Sequence, residues 1–283
     1  MTASGQTAQR RVTLHRHPVL VRLTHWVGTL CVGVLIASGL QIFNAHPGLY
    51  LGQRSTFARP IFAIVAVQTP AGALAGRVRF GDVLSLPTTG VLGVSKEDGQ
   101  PAARAFPHWV TLPGFIDLAT GRRWHFFFAW IFVANLAVML AYGLAGGRYR
   151  RMLSLSRREL ADIPRSIWLH LQLKFPHGEA ARSYNVLQKL AYLAVIALFL
   201  PLMVLTGLSM SPGVDAAAPW LPALLGGRQS ARTVHFVAAS AIALFIAAHL
   251  VMVLVSGVFN NLRSMITGGY AIRLDVETGH AQP

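Results

Sequence analysis

The sequence predicts an all-α membrane protein: a four-transmembrane-helix bundle with a long periplasmic loop between spans one and two. Three observations carry that expectation. The 283 residues are 53% hydrophobic and only 12% charged, against roughly 25% charge in an ordinary soluble domain. Four runs contain no Asp, Glu, Lys or Arg, namely Leu23–Gln53, Trp124–Gly147, Leu190–Val214 and Thr233–Leu262, and each exceeds the roughly 20 residues needed to cross about 30 Å of hydrocarbon. Finally, four of the eleven histidines fall inside the expected spans, where an ionisable side chain is costly and therefore points to function.

Taken in order, residues 1–283 form a single integral-membrane domain. A basic tail (1–22) lacks the apolar core of a cleaved signal peptide, so span one (about 24–43) is its own insertion signal. A loop (44–122) leads to span two (124–145), a basic connection (148–187) to span three (188–210), and a short loop (211–232) to span four (233–258). A fifth apolar run, Pro60–Gly76, is short and broken by Gln68 and Pro70, and belongs outside the hydrocarbon.

The net charge of +15 does not point to nucleic acid, because the basic residues sit between spans, where they suit anionic headgroups. Arg10, Arg11, Arg16 and Arg22 crowd the N-terminal tail and Arg148, Arg150, Arg151, Arg157, Arg158 and Arg165 the second connection, whereas the third loop holds only Arg228 and Arg232. The positive-inside bias therefore puts both termini in the cytoplasm of a bacterial inner membrane. The 44–122 loop is basic too, but long segments translocate largely regardless of charge.

That loop is rich in Pro and Gly, has β-like pieces such as "RVRFGDVLSL", and ends in the aromatic stretch "FPHWVTLPGFIDLATGRRWH". Such length is unusual for a mere connector, so a folded cap or docking surface is expected. In the second connection, "SLSRRELADIPRSIWLHLQLKF" has a helical pattern with an interior Pro164, which fits an amphipathic surface helix or a solvated connector. No internal repeat stands out.

The four span histidines are His25, His125, His235 and His249. The fourteen residues from His235 to His249 return to within about 40° of the same helix face and climb about 21 Å. With the orientation above, His125 and His235 lie at one depth near the periplasm, and His25 and His249 at another near the cytoplasm. Two bis-histidine sites stacked across a bilayer suit two b-type haems, since neutral imidazole ligates haem iron and a bundle supplies ligands from facing helices. The single cysteine, Cys31, and the lack of a CxxCH motif make the attachment non-covalent. Zinc is a rival, but it wants three or four ligands at one site. A proton relay is another.

Gly28, Gly33, Ala238, Ala239, Ala247 and Ala248 leave room beside these histidines, although small residues also serve ordinary helix packing. Arg22, Arg123 and Arg232 precede a ligand by two or three residues. Each is a candidate partner for a haem propionate, with headgroup contact as the competing role.

The stretch "HPVLVRLTHW", with Arg22, His25 and Trp26, resembles the first span of bacterial di-haem cytochrome b subunits. These form the cytochrome b561-like group, with the b subunits of nickel–iron hydrogenase, thiosulfate reductase and formate dehydrogenase. The His235/His249 spacing and "GRRWHFFFAW" are similar to that group, and "YNVLQKLAY" resembles the start of its third span. The resemblance covers all four spans. It implies a quinone site by the inner haem, with Asn185 at the quinone-linked position and Gln188 and Lys189 beside it. Helix capping and snorkelling are the alternative roles of these residues.

The long first loop departs from the hydrogenase and formate dehydrogenase pattern. Together with "PLMVLTGLSMSP" and "GGRQSARTVHF", it is similar to cytochrome b/b6-domain proteins linked with periplasmic molybdopterin-dependent oxidoreductases. The expectation is thus an electron-transfer subunit of an oxidoreductase complex, with no catalytic residue of its own. It would move electrons between a periplasmic redox partner and quinone. The rivals are a superoxide oxidase of the cytochrome b561 type, a nickel–iron hydrogenase b subunit, and a haem-free anchor with a proton relay.

Overall fold

The computed structural model describes residues 8–97, 99–147, 154–172 and 186–276. Strand β1 (Ala8–His15) is followed by helix α1 (Val19–Ala45). Six short strands come next: β2 (Gly48–Leu49), β3 (Phe62–Gln68), β4 (Leu74–Phe80), β5 (Leu84–Pro87), β6 (Gly93–Glu97) and β7 (Gln100–Arg104). Helix α2 (Leu118–Ala145) precedes two short helices, α3 (Arg157–Ala161) and α4 (Ile163–Leu171). A third long helix, α5, runs over Val186–Ser209. Two short helices, α6 (Pro212–Ala217) and α7 (Trp220–Leu224), lead into α8 (Arg228–Val255). The described chain ends in α9 (Val258–Thr267) and strand β8 (Gly269–Val276).

Helices α1, α2, α5 and α8 are long and apolar enough to cross a membrane, and at most 22% of each apolar window is buried inside the protein. The remaining surface is lipid-facing in character, with Leu30, Phe127 and Leu244 well exposed. Each helix begins two to six residues before the expected span. The expected spans were bounded by charge, whereas the helices extend to Arg22, Arg122, Arg123, Arg228 and Arg232, whose long side chains can reach the interface. Asp117 caps α2, its carboxylate accepting from the backbone N–H groups of Ala119 (2.9 Å) and Thr120 (3.2 Å). The hydrogen bonds from Thr120 hold that carboxyl below the usual carboxylate range. Within α5, Ala194–Phe199 forms a π-helical segment. Pro201, two residues beyond it, cannot donate to the preceding turn, a recognised cause of such distortions.

The four-helix prediction stands, but the all-α description is too narrow for the remainder. Residues 46–117 form a β-module. Strands β2, β3, β4 and β5 make a four-stranded sheet, and β6 and β7 an antiparallel pair. The pair crosses the sheet at two glycines. A Cβ on Gly76 would lie 2.1 Å from the Leu92 carbonyl oxygen, and one on Gly93 2.5 Å from that of Val65. Gly93 also has φ +81°, which only glycine adopts easily.

The module packs on the bundle through Phe43, Leu49, Ile64, Val78 and Ala105, with Phe62, Phe106 and Phe236 against them. Arg104, 3% exposed, bonds to Glu97 (3.0 Å), Gln41 (3.2 Å) and Thr111 (3.0 Å), and so joins the module to α1.

At the opposite end of the bundle β1 pairs antiparallel with β8, from Ala8↔Val276 to His15↔Gly269. The second connection contains α3 and α4 instead of one helix with an interior proline. Pro164 stands at the second position of α4, where its missing N–H costs no helical bond. Ser156 and Glu159 form a capping box at α3, and Glu159 also holds Lys189 of α5 at 2.6 Å.

Candidate haem sites

His125 lies seven residues after the start of α2, and His235 seven after the start of α8. Both helices start at the β-module end, so the imidazoles come to one depth. Their ring centroids are 6.3 Å apart, at 63°. The spacing suits one metal ion between them. Metal–imidazole bonds of about 2 Å put the two nitrogens about 4 Å apart, and a ring radius of about 1 Å on each side brings the centroids to about 6 Å.

Hydroxyls, with backbone carbonyls beside them, fix which nitrogen is free. Ser38 Oγ lies 3.1 Å from His125 Nδ1, and Thr206 Oγ1 2.9 Å from His235 Nδ1. Each hydroxyl donates its one proton to a carbonyl a turn back, Ser38 to Val34 (2.6 Å) and Thr206 to Leu202 (2.6 Å). Towards the imidazole it can only accept. Nδ1 of each ring is thus the donor, with the backbone carbonyls of Leu35 (for His125) and Met203 (for His235) also within its reach, which leaves the Nε2 lone pair for a ligand. Glycines follow both hydroxyl residues. A Cβ at Gly39 would stand 3.5 Å from His125 Cε1, and one at Gly207 3.6 Å from His235 Cε1.

His25 lies six residues into α1, and His249 six before the end of α8. Both are at the terminal-strand end of their helices. Trp26 packs edge-on to His25 at 5.4 Å and Phe245 stacks on His249 at 6.2 Å. A Cβ at Gly33 would meet nothing within 4 Å. Among the described residues no group of three or more His, Cys, Asp or Glu gathers. A histidine pair without a third such ligand among the described residues suits haem iron better than a tetrahedral zinc, which wants three or four ligands.

The three arginines separate. Arg22 donates to the Ile266 carbonyl, while its Nε is buried without a hydrogen-bond partner. It borders a cleft of about 350 Å³ lined also by Val19, Leu23, Trp26, Met265 and Ile266. An unsatisfied buried donor beside His25 fits a carboxylate such as a propionate. Arg123 is exposed near Asp117. Arg232 also holds the module. Its guanidinium donates to the carbonyls of Gly48 (2.8 Å) and His46 and lies over Phe43 at 5.8 Å. Two of its donors are committed to the module, because the backbone of β2 crosses the start of α8.

Gln188 stands in the first turn of α5 beside Lys189, which also donates to the Ser154 carbonyl at 3.1 Å. Asn185 lies outside the described residues. Sequence reasoning missed Ser38 and Thr206, although "SGLQ" (38–41) and "TGLS" (206–209) are similar short stretches on α1 and α5.

Four apolar helices enclosing opposed histidines define a multi-pass membrane cytochrome b. Residues 16–268 match the profile described as prokaryotic cytochrome b561, and the chain belongs to that family. The family implies b-type haem, and the opposed imidazoles have the donor set it requires. The chain is also 28% identical over 239 residues to a candidate protein-methionine-sulfoxide reductase subunit, YedZ1, of Azospira oryzae. That match covers 84% of this chain and 89% of the relative. No solved structure matches the chain.

Proposed function

We propose that the protein is a di-haem b-type cytochrome of the bacterial inner membrane that carries electrons between quinone and a periplasmic oxidoreductase. His125 and His235 would hold the outer haem, and His25 and His249 the inner one. The observation that carries this reading is the opposition of His125 and His235 at 6.3 Å, with Nε2 free on both rings and a second histidine pair at the other end. The two sites on α8 are about 21 Å apart along the helix, so each haem serves one half of the bilayer.

The β-module end is the periplasmic end in this reading, and both termini are cytoplasmic. The module, fixed beside His235 through Phe236 and Arg232, is the docking surface. The relative is named as a reductase subunit, which favours electron flow outward from quinol. The partner is then a molybdopterin-dependent reductase, acting on an oxidised substrate such as methionine sulfoxide. The cytoplasmic half would receive quinol near Asn185 and Gln188, with Arg22 as the candidate propionate contact there and Arg123 and Arg232 as the candidates at the outer haem. At each site haem supplies one-electron storage; the chain supplies ligands, spacing and exclusion of water.

The test is reconstitution in liposomes with quinol as sole donor. Quinol should reduce both haems of the native chain. In His249→Ala, which lacks the inner site, the outer haem should stay oxidised. Equal reduction of the outer haem in that variant would sink the transmembrane relay.

A further inference from the structure

Ser38 and Thr206 have no assigned role, yet they are among the most deeply buried side chains, each at 0% exposure. A hydroxyl in an apolar helix ordinarily satisfies itself on the carbonyl four residues back, and both do. The second contact is what needs explaining. Each oxygen also meets the Nδ1 of a histidine on the neighbouring helix, at 3.1 and 2.9 Å. The arrangement occurs twice. Helix α1 supports the ligand on α2, and α5 supports the ligand on α8, each time with a glycine next in sequence below the ring.

We infer that Ser38 and Thr206 are paired positioning residues that fix the tautomer and tune the potential of the haem held by His125 and His235. The inference rests on the di-haem reading above. A metal-bound histidine is oriented by the acceptor of its other N–H, and that acceptor raises ligand basicity. A hydroxyl already donating elsewhere is polarised into a stronger acceptor. Both imidazoles of the outer site are therefore electron-rich ligands, which favours the oxidised state of the iron. Among the described residues, no hydroxyl meets the ring of His25 or His249. The effect is confined to the outer haem.

The experiment is an optical redox titration of the purified full chain with haem quantitation, for Thr206→Val, Ser38→Ala and the conservative Thr206→Ser and Ser38→Thr. Valine keeps the shape of threonine and removes the hydroxyl acceptor, leaving His235 only the Met203 carbonyl. In Thr206→Val and Ser38→Ala the outer midpoint should rise by up to a tenfold change in equilibrium constant, about 59 mV for one electron. The low-spin paramagnetic resonance signal of that haem should shift with it. The inner midpoint should stay fixed, and the conservative variants should restore both readouts. If Thr206→Val instead fails to retain the outer haem, retention in Thr206→Ser sustains the inference, and equal loss in Thr206→Ser overturns it in favour of packing. Two bound haems with an unmoved outer midpoint would overturn it while leaving the di-haem reading intact. A native chain without two haems would take both down.

Discussion

The two ends of the bundle are built differently, although each brings two histidines together. At the β-module end, both imidazoles are clamped by buried hydroxyls, the neighbouring Phe236 stacks on Phe43 at 4.9 Å, and Arg232 ties the start of α8 to β2. At the terminal-strand end, His25 is exposed with Trp26 edge-on to it, Phe245 stacks on His249, and a cleft beside Arg22 stays open. A fixed site next to an ordered module suits docking of a large partner. A looser site with an adjoining cleft suits exchange with a small apolar molecule. The difference teaches that equal ligand sets need not have equal tasks, because the surroundings decide which partner can approach.

The sharpest way to break the comparison is to remove ligands. His125→Ala and His235→Ala should each abolish the same haem and spare the other, halving the haem-to-protein ratio. Depletion of one haem jointly by His125→Ala and His249→Ala would show that the depths are paired wrongly. Next in size is the module. Arg104→Met leaves Gln41 and Thr111 short of a buried partner, at a cost of about 3 kcal/mol. Limited proteolysis should cut residues 46–117 faster, with haem content at the other end unchanged. A smaller effect is expected from Arg22→Gln, which should move the inner midpoint and leave the outer one alone.

The smallest effect concerns pH at the connection between α2 and α5. The hydrogen bond from Lys189 lowers the Glu159 carboxyl from 4.5 to about 2. The folded value is depressed, so the tie contributes fully above pH 4.5 and fades as pH falls towards 2. Proteolysis within residues 154–172 should accelerate over that window in the native chain, and Glu159→Gln should flatten the dependence.

Much of this was legible in the sequence for simple physical reasons. A bilayer demands long apolar helices, so the four spans stood out. The depth at which His125 meets His235 came from helical periodicity plus orientation. What escaped depends on contacts distant in sequence. The strands of the module are short, and their register hangs on Gly76 and Gly93, whose close approaches involve other strands. Strands β1 and β8 come from opposite ends of the chain. The bonds from Arg232 to the His46 and Gly48 carbonyls escaped because its spacing from His235 gives no hint of them. Ser38 and Thr206 looked like ordinary small polar residues of membrane helices, since only the fold brings them to Nδ1 atoms 87 and 29 residues away.

The central claim is that the bundle holds one haem at each end. The most direct measurement is haem quantitation on the purified native chain, combined with optical redox titration. The account predicts two b-type haems per chain, released intact by acid–organic extraction and titrating as two one-electron components. A single haem per chain, or none, would contradict it.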